Sequence, residues 1–280
     1  MIQIGLSTSS VYPLPLEQTF ALAASIGYDG VEVMVTRDKR TQDAEALRHL
    51  SELYGVPILS IHAPVLLLTH FVWGTDPRTK LQRSAELAAA VGAPSVVVHP
   101  PFRWQKDYST RFMQIVREIT ADTGVTIGVE NMFPWAMNGR SVEAYLPGWD
   151  VTTFDCDAVT LDFSHAALSG QDARDIVAAV GDRLHHVHLC DGTTSLEDGT
   201  VFDEHLLPGR GTQPVAEVLR GLADSGWSGS IVAEVNTRKA KDSPTRVRML
   251  RETLAFAREH TVVAPKGRWH RFRSALSGDR

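Results

Sequence analysis

Residues 2–35 read IQIGLSTSSVYPLPLEQTFALAASIGYDGVEVMV. The first six alternate and are β-rich. Leu16, Phe20, Leu22, Ala23 and Ile26 then form an apolar stripe, and Gly27 stops that helix. Residues 30–35 are β-rich again. A strand, a crossover helix and a second strand make the repeating unit of a parallel sheet.

Working outward, the unit recurs. A helix over 41–54, ended by Gly55 and Pro57, leads to a strand at 58–63. A helix over 77–91, stopped at Gly92, leads to a strand at 95–99, and a helix over 108–122 to a strand at 126–130. A Pro-, Gly- and Trp-rich stretch over 133–149 precedes the strand at 159–163. The pattern closes with a helix at 172–180, a strand at 186–189, a polar loop, a helix at 214–225, a strand at 230–235 and a helix at 245–259. Eight strands in strict alternation with helices predict an α/β fold, a single (β/α)8 TIM barrel over 1–262. No G-x-G-x-x-G follows the first strand, so an open dinucleotide-binding sheet is the weaker reading. Residues 263–280 carry Lys266, Arg268, Arg271, Arg273 and Arg280 against Asp279 and read as a mobile basic tail.

The 280 residues hold 28 Lys and Arg against 33 Asp and Glu, a net charge of −5 that argues against a protein that coats DNA. With 43% hydrophobic residues the chain has the apolar content of a folded protein, not of a disordered one. Cys156 and Cys190 cannot make a disulfide framework, which predicts a reducing compartment. The apolar run at 65–68, like every other in the sequence, is too short for a bilayer, and no basic segment precedes an apolar one at the N-terminus. The expected location is the cytoplasm, with no membrane partner.

Histidines and acids fall where barrel strands end. His62, His99 and Glu130 end strands three, four and five, and Glu234 ends strand eight. Asp162 lies on strand six with His165 just past it, and His188 on strand seven with Asp191 just past it. Asp203 and His205 follow in the next loop. The C-terminal ends of barrel strands meet at one mouth, where active sites are built. A single strand-end His or Glu is more often a hydrogen-bonded structural group, but a decorative origin for the whole set is much less probable. Imidazole with carboxylate is the donor set of zinc, manganese or cobalt. So many ionisable groups cannot share one mouth cheaply without a cation. A central carboxylate such as Glu130 suits two bridged ions, which activate water and stabilise a departing oxygen. Of the remaining histidines, His49 and His260 are expected to face solvent from helices, and His185 to be structural. His186 is expected to be a satisfied core residue, and His70 and His270 to have no role. Cys190 is expected to pack outward, and Cys156 lies outside any strand end.

These residues resemble the xylose isomerase-like TIM barrel superfamily, also called AP endonuclease family 2, over residues 1 to about 260. Gly27-Tyr28-Asp29-Gly30-Val31-Glu32 is similar to the opening of its second strand. Resemblance to endonuclease IV implies three zinc ions. Glu130 would bridge two. His62 and His99 would complete one site, Asp162, His188 and Glu234 the second, and His165, Asp203 and His205 would hold the third. The segment Asp203-Glu204-His205, followed by Leu207-Pro208-Gly209-Arg210-Gly211, is its most telling match. Resemblance to the epimerases implies one ion, Mn, Co or Mg, on Glu130, Asp162, His188 and Glu234, with the two glutamates as acid and base. That branch commonly has a substrate-holding arginine in the same loop. Two departures bear on a DNA substrate. Val65 stands where the endonucleases usually carry a Tyr, and the loop over 66–73 is apolar. The basic run over 36–40 reads as a solvated face that would otherwise touch phosphate.

The leading expectation is therefore a zinc-dependent phosphoester hydrolase acting on abasic DNA or a smaller phosphoester. The alternative is a metal-dependent sugar or sugar-phosphate isomerase or epimerase. Glu130 and Glu234 are the expected catalytic residues in either enzyme. A non-catalytic metal-binding module has only the basic tail and the apolar loop in its favour.

Overall fold

The computed structural model describes residues 1–64, 69, 71–137, 140–194 and 203–262. Eight parallel strands close into a barrel: β1 (Gln3–Ser7), β2 (Gly30–Met34), β3 (Ile58–His62), β4 (Ser95–Val98), β5 (Thr126–Glu130), then, past a hairpin of β6 (Trp135–Met137) and β7 (Arg140–Val142), β8 (Val159–Asp162), β9 (Leu184–Leu189) and β10 (Ser230–Ala233). β1 pairs with both β2 and β10, with Gly5 opposite Gly30 and Ile4 opposite Ile231, which seals the cylinder.

The helices are α1 (Leu16–Ile26), α2 (Ala44–Tyr54), α3 (Pro77–Val91), α4 (Lys106–Thr110), α5 (Phe112–Thr123), α6 (Phe163–Ser169), α7 (Ala173–Val180), α8 (Val215–Ser225) and α9 (Ser243–His260). Local chemistry sets their ends. Asp43, Asp76 and Asp242 accept backbone N–H bonds at the starts of α2, α3 and α9, and Pro77 occupies the first turn of α3. Gly27 closes α1 at φ +98°, a left-handed conformation that costs other residues a Cβ clash. Phe20, Leu47, Leu81, Phe112, Ile119 and Ile176 fill the layer between strands and helices, all but inaccessible to solvent. Apolar burial on both faces explains why the strands read as near-continuous apolar runs.

The alternation is not strict. Among the described residues no helix joins β5 to β8. The hairpin and a satellite cluster of Met132, Ala144 and Tyr145 against Phe102, Phe133, Trp135 and Trp149 take its place. Proline and glycine in that stretch, Pro134, Pro147 and Gly148, deny it a helix. A short helix, α6, also starts directly on β8. His260 does not face solvent: it is buried in the last turn of α9, its ring 4.3 Å from that of Phe256. Val65, residues 66–68 of the apolar loop and the tail at 263–280 lie outside the described residues. No helix among the described residues is long and apolar enough to cross a membrane.

The Gly27–Glu32 segment has a packing reason for its second glycine. A Cβ on Gly30 would meet the Leu59 side chain and lie 2.8 Å from the Pro57 carbonyl oxygen, which is backbone and cannot turn away. Gly30→Ala is expected to destabilise the fold by about 1–3 kcal/mol, measured as a lower denaturant midpoint at unchanged slope.

Candidate metal centre

The carboxyl ends of the barrel strands converge on a polar cluster inside an otherwise apolar shell. Glu130 and His62 close β5 and β3, His99 follows β4, Asp162 closes β8, His188 projects from β9 and Glu234 follows β10. Glu130, Asp162 and His188 are fully buried or nearly so, and Glu234 is buried. The Nδ1 atom of His188 lies 2.9 Å from Glu130 Oε1, 2.7 Å from Glu234 Oε2 and 3.7 Å from Asp162 Oδ2. The other Glu130 oxygen, Oε2, faces His99 Nε2 at 3.1 Å and His62 Nε2 at 3.5 Å.

Local structure delivers the third group. Asp162 caps α6 by accepting the His165 N–H at 2.8 Å, so an Asp-x-x-His spacing carries His165 back to the mouth within one turn. Asn131 pins the two strand ends together. Its amide donates to the Asp162 carbonyl at 3.0 Å, and its Oδ1 accepts the Asp162 N–H at 2.7 Å. His165 Nε2 and His205 Nε2 then flank Asp203 Oδ2 at 3.1 and 2.8 Å. His205 sits at φ +44°, a strained conformation held by the Asn236 N–H on its carbonyl at 2.7 Å.

The loop motif around Gly209 and Gly211 now has a cause. Buried Asp191 is not a ligand. Its carboxylate accepts the backbone N–H of Gly209 at 3.0 Å, Gly211 at 2.9 Å and Gln213 at 3.2 Å, so the loop wraps around it. This anchors the Asp203–His205 arm. Arg210 points elsewhere, pairing with Glu252 on α9. In the 36–40 run, Arg40 pairs with Asp38 at 3.1 Å.

Whether these residues suit a cation is decided by their tautomers and their orphaned oxygens. A backbone carbonyl can only accept, so a ring nitrogen beside one must carry the proton. His62 Nδ1 donates to the Ala63 carbonyl at 3.0 Å, His165 Nδ1 to Asn131 at 2.9 Å and His205 Nδ1 to Glu234 at 2.7 Å. In the neutral imidazole each Nε2 lone pair then faces the carboxylates, an arrangement that repels unless a cation or proton lies between. Glu130 Oε2 is buried without a hydrogen-bond partner although two imidazole nitrogens crowd it. Donor atoms within 4.8 Å of one another form three sets at the mouth: His62, His99 and Glu130; Glu130, Asp162, His188 and Glu234; and Asp162, His165 and His205. The residues fit divalent metal. Asp203 contacts the third set through its two histidines.

Without a cation, protons fill the role. Burial pushes the Glu130 carboxyl up, yet the charges of His188 and His99 outweigh it and hold Glu130 well below the usual carboxylate range. Asp203 is held down in the same way by His205 and His165. Burial would lower the His165 imidazole, but Asp162 and Asp203 push it up to about 10. His188 is raised well above its ordinary value against burial, by Glu234, Glu32 and Glu130. His99, in contrast, is lowered by burial.

Some residues stand otherwise than the sequence suggested. Cys190 does not pack outward. It shares the parity of His188, not of its neighbours, and its Sγ lies 3.5 Å from Asp162 Oδ2. His186 is buried, but neither ring nitrogen has a hydrogen bond of good geometry, so it is not a satisfied core residue. Sequence reasoning gave no role to Glu32, Ser9 or Asn131. Glu32 is fully buried in β2 and faces His186 and His188 across the barrel. Ser9 donates to Glu234 Oε1 at 2.8 Å.

A model of the family described as xylose isomerase-like TIM barrel matches residues 20–260. The chain belongs to that family. An uncharacterized protein of Mycobacterium tuberculosis is 45% identical over 280 residues, covering 93% of this chain and 98% of its own. Fructoselysine 3-epimerase of Escherichia coli O157:H7 is 21% identical over 259 residues, covering 84% and 91%. The crystal structure of a D-tagatose 3-epimerase-like protein superposes with a TM-score of 0.64 at 24% identity, covering 93% of this chain and all of that one. Two of these three proteins are named as a 3-epimerase or as resembling one.

Proposed function

We propose that this member of the xylose isomerase-like family is a metal-dependent isomerase or epimerase of a sugar or sugar derivative. The observation that carries the reading is the buried set Glu130, Asp162, His188 and Glu234, whose donor atoms face one point at the barrel mouth. Similarity to proteins named as 3-epimerases supports it. A divalent ion held by these four residues would polarise adjacent carbonyl and hydroxyl oxygens of the sugar. The chain supplies the proton traffic. Glu130 and Glu234 come from strands on different sides of β9 and β8, so one removes the proton beside the carbonyl and the other returns one. Ser9 holds Glu234 Oε1 and leaves Oε2 turned to the centre. Phe133, 5.2 Å from the His165 ring, adds an apolar wall against which a sugar's C–H face packs.

A second reading, phosphoester hydrolysis on several ions, is favoured by one specific observation. The His62–His99 and His165–His205 pairs, the latter bridged by Asp203, provide donors that a single ion does not use. In the isomerase these groups orient substrate hydroxyls.

One experiment separates the two readings. Elemental analysis of the purified protein and incubation with ketoses in deuterated water are run side by side. The expected result is about one Mn, Co or Mg per chain and deuterium at a carbon next to the carbonyl. About three zinc ions per chain, with phosphoester cleavage and no exchange, would overturn the isomerase.

A further inference from the structure

Beneath the proposed centre lies a second buried layer that the metal does not require. Glu32 from β2 is inaccessible to solvent, deep in the barrel interior. Ser60 donates its hydroxyl to Glu32 Oε2 at 2.7 Å. His186 Nε2 lies 3.1 Å from the same oxygen. His188 Nε2 lies 3.3 Å from Oε1 and 3.4 Å from Oε2.

His188 therefore stands between two carboxylate layers. Its Nδ1 faces Glu130 and Glu234, and its Nε2 faces Glu32. Three other histidines at the mouth show the same division of labour. In His62, His165 and His205 one nitrogen gives its proton to a backbone carbonyl, and the other faces the carboxylates. His188 differs in that both of its nitrogens face carboxylates and neither faces a carbonyl. A carboxylate acceptor fixes the tautomer and raises the basicity of the ligating nitrogen more than a neutral acceptor does.

We propose that Glu32 is a positioning residue for the metal centre: it takes the Nε2 proton of His188 and so presents the Nδ1 lone pair to the cation, while the Ser60 hydroxyl holds the carboxylate in place. This role rests on His188 being a ligand of the centre described above. Glu32, His186 and His188 also bring three donor atoms within 4.8 Å. In this proposal that set supports the upper site: Ser60 donates to Oε2, and Oε1, buried with no hydrogen-bond partner, is left to the His188 Nε2 proton at 3.3 Å.

The test is Co(II) titration of the full-length chain, read by visible absorption and by competition with a chromophoric chelator. The unaltered protein, His188→Ala, Glu32→Gln and Glu32→Asp are compared. The unaltered protein is expected to bind Co(II), and His188→Ala to lose that binding. Glu32→Gln is expected to bind about 10- to 100-fold more weakly, with a shifted d–d spectrum. Glu32→Asp, which keeps the charge, is expected to recover part of both. A Glu32→Gln protein with unaltered affinity and spectrum would overturn the positioning role while the His188→Ala loss leaves the centre standing. Failure of the unaltered protein to take up Co(II) would overturn both. Should Glu32→Gln not fold, Ser60→Ala decides. About three- to tenfold weaker binding, the worth of one lost hydrogen bond, supports the role, and unchanged binding overturns it.

Discussion

Glu130→Gln is expected to emerge from purification without bound metal and with turnover reduced by more than about 10³-fold. The side chain keeps its shape, so β5 pairs as before, with Val129 opposite Val159 and Glu130's backbone opposite Thr160. What disappears is the one carboxylate, among the described residues, that faces His188 with one oxygen and His62 and His99 with the other. Oε1 serves His188 at 2.9 Å, and Oε2 faces His99 at 3.1 Å and His62 at 3.5 Å. A neutral amide there offers one oxygen and two N–H donors. The N–H donors oppose any cation and compete for the histidine lone pairs. The measurement is metal per chain by elemental analysis together with initial rates on the best substrate found. A variant that holds its metal and retains near-normal rates would remove Glu130 from the centre of the chemistry.

Much of this architecture is legible before folding, for a physical reason. In a barrel every strand delivers its last residue to the same rim, so His62, His99, Glu130, Asp162, His188 and Glu234 converge although they span 173 positions of chain (234 − 62 + 1). Two features resist that reading, and a third follows from it only in part. His165, Asp203 and His205 fall just past strand ends in the sequence, but their approach to the mouth depends on a helix N-cap and on a loop wrapped around Asp191. Glu32 sits inside a strand, not at its end, and its partners come from β9 across the cylinder, so only barrel closure reveals it. A signal for it existed: a lone acid in a strand buried on both faces needs buried partners. The hairpin between β5 and β8 reads in the sequence as loop, because its strands are three residues long and too short for an alternation to register.

The loop after β9 also limits how the substrate is held. Arg210 lies where the epimerase resemblance suggested a substrate-binding arginine, yet its guanidinium pairs with Glu252 and its side chain is about half exposed. On the proposed isomerase reading, a sugar would be recognised by the histidines and by the aromatic cluster of Phe102, Trp104, Trp135 and Tyr145. There the Phe102 and Trp104 rings stack at 4.3 Å, with the Tyr145 ring 5.2 Å from Phe102. Flat π faces with few charges suit the C–H side of a carbohydrate better than a polyanionic strand.

Chelation is expected to abolish activity, and re-addition of metal to restore it with a marked pH dependence. The sign follows from the imidazoles. His165 is raised from 6.5 to about 10 and His188 is raised as well, each by the carboxylates around it. In the metal-free protein their bonds to the carboxylates are complete below about pH 6.5 and are lost as the pH climbs through the raised values. A cation replaces those same protons. Between about pH 6.5 and 9 its uptake must therefore release them, and its apparent affinity rises with pH by up to about tenfold per unit for each proton displaced. Calorimetric titration of the chelator-treated protein with Mn(II) or Zn(II), in two buffers of different ionisation enthalpy, counts the protons directly. One to two protons released per ion, with binding weakening toward acid, is the expected outcome. Affinity independent of pH over that range would place the cation away from His165 and His188, because no ion seated among these carboxylates leaves their imidazolium partners untouched.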